Sequence, residues 1–141
     1  MAVLDDLSAR LVARGVGTLG VNIFASSAAV IPVGMGPYLT LNDTGGVAPT
    51  RVQNKPTPNT KRPTVQVLVR AGRIAGVQEA YQAAMAMSLA AYAALDGIFN
   101  ITLSGIFYLS IKARQEPTDM GLDATGTRVQ VVFNVDAERA P

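Results

Sequence analysis

Cysteine and histidine are both absent from the 141 residues. Without cysteine there can be no disulfide frame and no thiolate metal site, and nothing speaks for an oxidising compartment. Without histidine the usual general base, the usual pH switch and the commonest metal ligand are lost together. Charge is scarce as well. Only 16% of residues are charged while 49% are apolar, against about 25% charged in an average globular chain. Such a chain has few charges with which to cover its own surface, which implies partners. The chain opens with Asp5 and Asp6 rather than a basic stretch leading into an apolar one, so no signal peptide is expected. The longest nearly continuous apolar run, residues 83–95, would span as a helix about 20 Å, short of the roughly 30 Å of a bilayer core. No membrane span is expected.

The net charge is +2, unevenly placed. From residue 44 to 78 the charges are Arg51, Lys55, Lys61, Arg62, Arg70 and Arg73, with no acid among them. From residue 115 onward, Glu116, Asp119, Asp123, Asp136 and Glu138 outnumber Arg128 and Arg139. A subunit with one basic and one acidic flank can meet a neighbour head to tail, the kind of contact that closes into rings. Two ordinary solvated surfaces would produce the same pattern.

The hydrophobic pattern predicts a short helix over 3–14, with Leu4, Leu7 and Leu11 on one stripe and Gly15 as its stop. Residues 17–29 are ambiguous, with an extended piece around 19–24. Strand material follows at 31–36 and 37–42. Residues 44–62, rich in Gly, Pro, Thr and Asn, lack an apolar period and read as a long loop. Val65, Val67 and Val69 then alternate with Gln66, Leu68 and Arg70, which predicts a strand with one buried face.

A long helix is predicted over 74–96, stopped by Gly97. Its stripe is Val77, Tyr81, Ala84, Ser88, Ala91 and Leu95, joined by Met85, Leu89 and Tyr92. The opposite side carries Ala83, Ala86, Ala90 and Ala93 in place of charges, as in a helix covered on more than one side. The next two strands place Phe99, Ile101 and Leu103, then Phe107, Leu109 and Ile111, toward the core. One-sided burial favours a three-residue hairpin loop pairing Leu103 with Phe107 over a two-residue turn pairing Ile101 with Tyr108. Residues 116–126 read as a connection. The last strand, 127–136, faces inward with Val129, Val131, Phe133 and Val135. The sum is a two-layer α+β fold, a mainly antiparallel sheet with two helices on one face, in a single domain over 1–141. Leu68, Tyr108 and Val132 are expected on the sheet's other face.

No motif carries chemistry. Gly15-Val16-Gly17-Thr18-Leu19-Gly20 matches a dinucleotide fingerprint, but a helix precedes it and an extended segment follows, the reverse of what phosphate binding needs. Asn42-Asp43-Thr44 and Asn100-Ile101-Thr102 match the glycosylation acceptor pattern by chance. Asp5 and Asp6 diverge on a helix, while Asp119 and Asp123 suit turns. No catalytic, cofactor-binding or metal residue is assigned, and no cofactor is expected. The basic residues 51, 55, 61 and 62 could meet phosphates, but no aromatic interleaves them for base stacking.

Several strings in succession resemble the minor capsid family of long-tailed bacteriophages that includes tail-terminator proteins. They are Leu4-Asp5-Asp6-Leu7, Asp43-Thr44-Gly45-Gly46, the run Arg62-Pro63-Thr64-Val65-Gln66-Val67-Leu68-Val69-Arg70-Ala71-Gly72, then Ala94-Leu95-Asp96-Gly97, Asn100-Ile101-Thr102-Leu103, Tyr108-Leu109-Ser110-Ile111, Gln115-Glu116-Pro117 and Val131-Val132-Phe133-Asn134-Val135. The likeness runs in order over nearly the whole chain; the Pro/Thr/Asn/Lys-rich loop departs from it. The resemblance implies a structural, non-enzymatic virion protein of the tail or neck, assembled in the host cytoplasm. In that role a homo-oligomeric ring, a hexamer, caps the tail tube, ends its growth and docks the head–tail connector or stopper, with DNA passing non-specifically through the hole. Candidate subunit or partner contacts are Arg51, Lys55, Lys61, Arg62, Leu68, Tyr108 and Val132. Alternatives are a head-completion or stopper protein, a tail-tube protein or, in another class, a small nucleic-acid-binding module. The absence of exposed ring pairs on the predicted strands speaks against the last.

Overall fold

The computed structural model describes residues 2–25, 34–45, 47–51, 58–73 and 76–140. Among these residues the order is α1 (Ala2–Ala13), β1 (Ile23–Phe24), β2 (Tyr38–Asp43), β3 (Val47–Arg51), β4 (Pro58–Arg62), β5 (Thr64–Gly72), α2 (Val77–Leu95), β6 (Ile98–Leu103), β7 (Ile106–Ala113), β8 (Thr118–Leu122) and β9 (Arg128–Arg139). The fold is α+β with a mainly antiparallel sheet, as the sequence implies; among the named strand pairs of the described residues, β1–β2 alone is parallel.

β9 is the spine of the sheet. One edge carries β5 in an unbroken antiparallel register from Thr64↔Asp136 to Gly72↔Arg128. The other edge is shared by β8, paired with residues 129–132, and β7, paired with residues 135–139. Alternation divides the faces cleanly. Rows such as Leu41, Val67 and Phe133, or Leu39, Val69 and Val131, point inward and are fully buried. At about 1.5–3 kcal/mol for each large apolar side chain fully buried, these rows anchor the sheet to the helices. α2 lies over β5 and β9, and α1 packs against α2 and β2.

Each helix end has an identifiable cause. α1 closes in a Schellman motif: Gly15 takes φ +75, its N–H reaches the Val12 carbonyl, and the Val16 N–H reaches that of Leu11. The first glycine of the GxGxxG string is thus a helix stop. Its second, Gly17, has no room for a side chain, since a Cβ would lie 2.5 Å from Asn22 Oδ1. α2 ends at Asp96, whose carboxylate accepts the Ala113 N–H at 2.8 Å and ties the helix to β7. Arg10 Nε donates to the Ala94 carbonyl at 3.2 Å, placing an α1 cation at the negative end of α2.

Three sequence expectations are corrected. The stretch 44–62 is not one loop: β3 and β4 form an antiparallel pair within it, while residues 52–57 and Lys55 lie outside the described part. Polar strands without apolar alternation escape a reading based on hydrophobic period. The connection 116–126 contains β8, whose five residues are all exposed, so burial left no mark on its sequence. The β6–β7 hairpin has the two-residue turn rejected above, with Leu103 paired to Ile106 and Ile101 to Tyr108. Ser104 and Gly105 take φ 50 and 79, the left-handed pair that a tight hairpin turn with the right twist requires. Of the strand expected at 31–36, residues 31–33 lie outside the described part, and residues 34–36 form a bend ahead of β2 instead of a strand.

Candidate assembly surfaces

The register reset in β7 decides which side chains are available to a partner. Between Tyr108↔Arg139 and Ser110↔Glu138, β7 uses one residue more than β9, a bulge that shifts the side-chain alternation. Tyr108 and Ile111, three apart, are therefore both fully buried, while Phe107 and Leu109 are 42% and 38% exposed. Asn100, at φ 52 on the neighbouring strand, matches this irregularity, and Phe99 is left 60% exposed. The expectation that Phe99, Phe107 and Leu109 face the core is overturned, as is the placement of Tyr108 on the outer face.

Tyr108 instead holds the core to α1. Its hydroxyl donates to Asp6 Oδ2 at 2.5 Å, and Asp6 is 1% exposed. Burial pushes the phenol well above its usual range, and the hydrogen bond to the Asp6 carboxyl adds to this, so the group stays a neutral donor.

The other candidate contacts fall in two places. β4 continues β5 beyond Pro63: Lys61 faces Arg139 three residues after Thr64 faces Asp136, in one register. Past Lys61 the β3–β4 pair runs beyond the end of β9, so Arg51, Lys61 and Arg62 sit on an arm that leaves the sheet. Lys61 is exposed, and the Arg62 guanidinium lies 4.0 Å from Glu138, a pair worth little in water. Leu68 and Val132 are cross-strand partners on the outer face of the sheet, half-buried and 8% exposed respectively. Around them the face is polar: Thr40 donates to the Leu68 carbonyl, and Asn42 Nδ2 donates to Gln66 Oε1 at 3.2 Å.

Three features escaped sequence reasoning. One is the exposed apolar set on the β6–β7 hairpin. Phe99 and Phe107 pair across the hairpin with Ser110 and Thr102 rather than with each other, so they form no stacked ring pair. The second is β8 itself, with Met120 59% and Leu122 43% exposed. A groove of about 290 Å³ lies between it and the start of α2, lined by Val77, Tyr81, Asp119, Leu122 and Val129 among others. The third is an outward charge cluster in which Arg114 grips Asp136 with two hydrogen bonds, at 2.7 and 3.2 Å, while Thr64 donates to the same carboxylate at 2.9 Å. Burial alone would raise the Asp136 pKa, but these hydrogen bonds and the guanidinium charge outweigh it and hold it below the usual carboxylate value.

Asp119 and Asp123 do turn duty. Asp119 accepts the Gly121 N–H at 2.8 Å; Asp123 accepts the Thr127 N–H at 3.0 Å and the Thr125 hydroxyl at 3.0 Å. Burial opposes ionisation of Asp123, yet the Thr125 hydroxyl and the Thr127, Arg128 and Gly126 N–H groups win and lower its pKa. The outer side of α2 presents Gln82, Ala86, Leu89, Ala90 and Ala93 to solvent in the single chain. Among the described residues, no group of three or more acidic, His or Cys side chains could hold a metal ion, and no helix is long and apolar enough to cross a membrane.

With this geometry the chain is similar to a protein in the virion of a native gene transfer agent particle. The two share 14% identity at a TM-score of 0.64, over 98% of this chain and 94% of that one. A second solved structure is similar at a TM-score of 0.61 and 14% identity, over 99% of this chain and 94% of its own. No family model and no curated protein matches the sequence. At such identity the likeness shows the fold alone.

Proposed function

We propose that this chain is a structural subunit of a phage-like virion, a single folded unit acting as a tail terminator. Copies form a closed ring, a hexamer, that caps the tail tube, halts its polymerisation and joins it to the head connector, leaving a central passage for DNA. The observation that carries this reading is the end-to-end likeness to a gene transfer agent virion protein, at 98% and 94% coverage. The surface agrees with it. Phe99, Phe107, Leu109, Leu89 and Met120 are all exposed in the isolated chain, apolar side chains that a neighbouring subunit could cover.

The physical logic is one of shape. An open tube end is an unsatisfied heterologous interface; a ring that matches it on one face and differs on the other blocks the next addition. Electron microscopy of tail-tube protein polymerising with and without this protein tests the role. The expected result is rings seated on tube ends and shortened tubes. Tubes of unchanged length with bare ends would overturn it. Open tubes built from this chain alone would favour a tail-tube protein, and attachment to heads without tubes a stopper.

A further inference from the structure

The sheet places two complementary surfaces where one molecule cannot bring them together. The β3–β4 arm leaves at the C-terminal end of β9, beyond Lys61↔Arg139, along the edge occupied by β5. β8 lies on the opposite edge, at the N-terminal end, where Leu122 faces Val129. Arg139 lies ten residue steps along β9 from Val129, about 34 Å at the rise of an antiparallel strand. Between residues 44 and 64 the chain carries Arg51, Lys55, Lys61 and Arg62 and no acid; between 115 and 127 it carries Glu116, Asp119 and Asp123 and no base.

We propose that the β3–β4 arm of one copy docks on the β8 edge of the next copy, laying its basic residues against Glu116 and Asp119 beside the groove between Leu122 and Val77. The occupant is a second copy of this chain because the charges match in sign and because the two surfaces sit at diagonal corners of one sheet. A contact between diagonal corners is heterologous, so it propagates around a ring instead of closing a two-fold pair. β8 supplies an edge whose five residues are all exposed, with Met120 and Leu122 as apolar anchors. Pro49 removes one N–H from β3, so charge and side-chain contact carry the joint rather than a full main-chain ladder. The proposal rests on the ring reading above and specifies how neighbouring subunits are joined.

Charge reversal tests it on the full chain. Glu116→Lys, Asp119→Asn and Met120→Lys together make the β8 edge basic; Arg51→Glu, Lys61→Glu and Arg62→Glu together make the arm acidic. Each variant is expected to keep the wild-type circular dichroism spectrum and thermal midpoint, because Lys61, Arg62, Glu116, Asp119 and Met120 are exposed. Each should shift the concentration needed for assembly upward by about tenfold or more, the scale set by like charges meeting across an interface. Mixed one to one, the two should reassemble, since in an alternating ring every arm then meets an edge of opposite sign; the variant that combines both sets of substitutions should assemble alone. A ring of wild-type affinity in both variants, or no recovery in the mixture, would overturn the arm-to-edge contact while leaving the ring intact. A wild-type protein that stays monomeric even with tail tubes would instead overturn the ring reading itself.

Discussion

Replacing Tyr108 by Phe removes one oxygen atom from the centre of the molecule and nothing else. The ring stays where it is, fully buried, but Asp6, at 1% exposure, loses the donor that sits 2.5 Å from its carboxylate. A buried polar group left unpaired costs about 1–3 kcal/mol, which for a chain of this length corresponds to roughly 3–9 °C in Tm. Urea unfolding at fixed protein concentration, with the slope m unchanged, reads the loss directly. A double-mutant cycle with Asp6→Ala should return a coupling of about 0.5–3 kcal/mol, as for residues in direct contact. The alternation of β7 in sequence puts Tyr108 on the outer face, and there the same substitution would cost less than about 0.5 kcal/mol. A near-zero stability change accompanied by lost self-association would therefore refute the bulge and the buried tyrosine together.

Further outcomes follow from the same geometry. Leu7→Ala, at a fully buried α1 position, should destabilise by about 2–5 kcal/mol, measurable by thermal or urea unfolding. Gly105→Val should destabilise the fold through strain at φ 79, by about 1–2 kcal/mol, and so lower Tm, while Ser104→Asn, a better left-handed residue, should not. Asp136 and Asp123 have folded pKa values below their unfolded ones, so their stabilisation is present above the ordinary carboxylate value of about 3.9. It is lost as pH falls through their lowered folded values. Urea midpoints measured from pH 6 downward should drop in that acidic window, and Asp136→Asn should flatten part of the drop. Phe107→Ser with Leu109→Ser should leave the unfolding midpoint nearly unchanged yet weaken association in sedimentation velocity, since both side chains are exposed.

The elements with one buried face could be read from sequence. Val65, Val67 and Val69 in β5, and Val129, Val131, Phe133 and Val135 in β9, alternate because one side of each strand meets the helices, and all are buried. Leu4, Leu7 and Leu11 mark α1 for the same reason, and Gly15 ends it through a conformation that glycine adopts without strain. What could not be read lacks that cause. β3, β4 and β8 are held by main-chain pairing at the periphery, which imposes no hydrophobic period. In β7 the period exists but is interrupted: one inserted residue moves Phe107 and Leu109 out and Tyr108 in, and the two-residue turn at Ser104 and Gly105 follows from that choice. Of the candidate contacts, the basic residues of the arm were visible as a charge run. The acidic flank they are proposed to meet was visible as charge too, but the strand that carries it, β8, read as a mere connection.

The central claim is that this chain acts through contacts with copies of itself. Native mass spectrometry of the purified protein, taken at several concentrations and at low and moderate salt, measures that most directly. One discrete closed multiple of the chain mass, weakened as salt rises, is the outcome the account requires. A monomer at every concentration and salt level would contradict it.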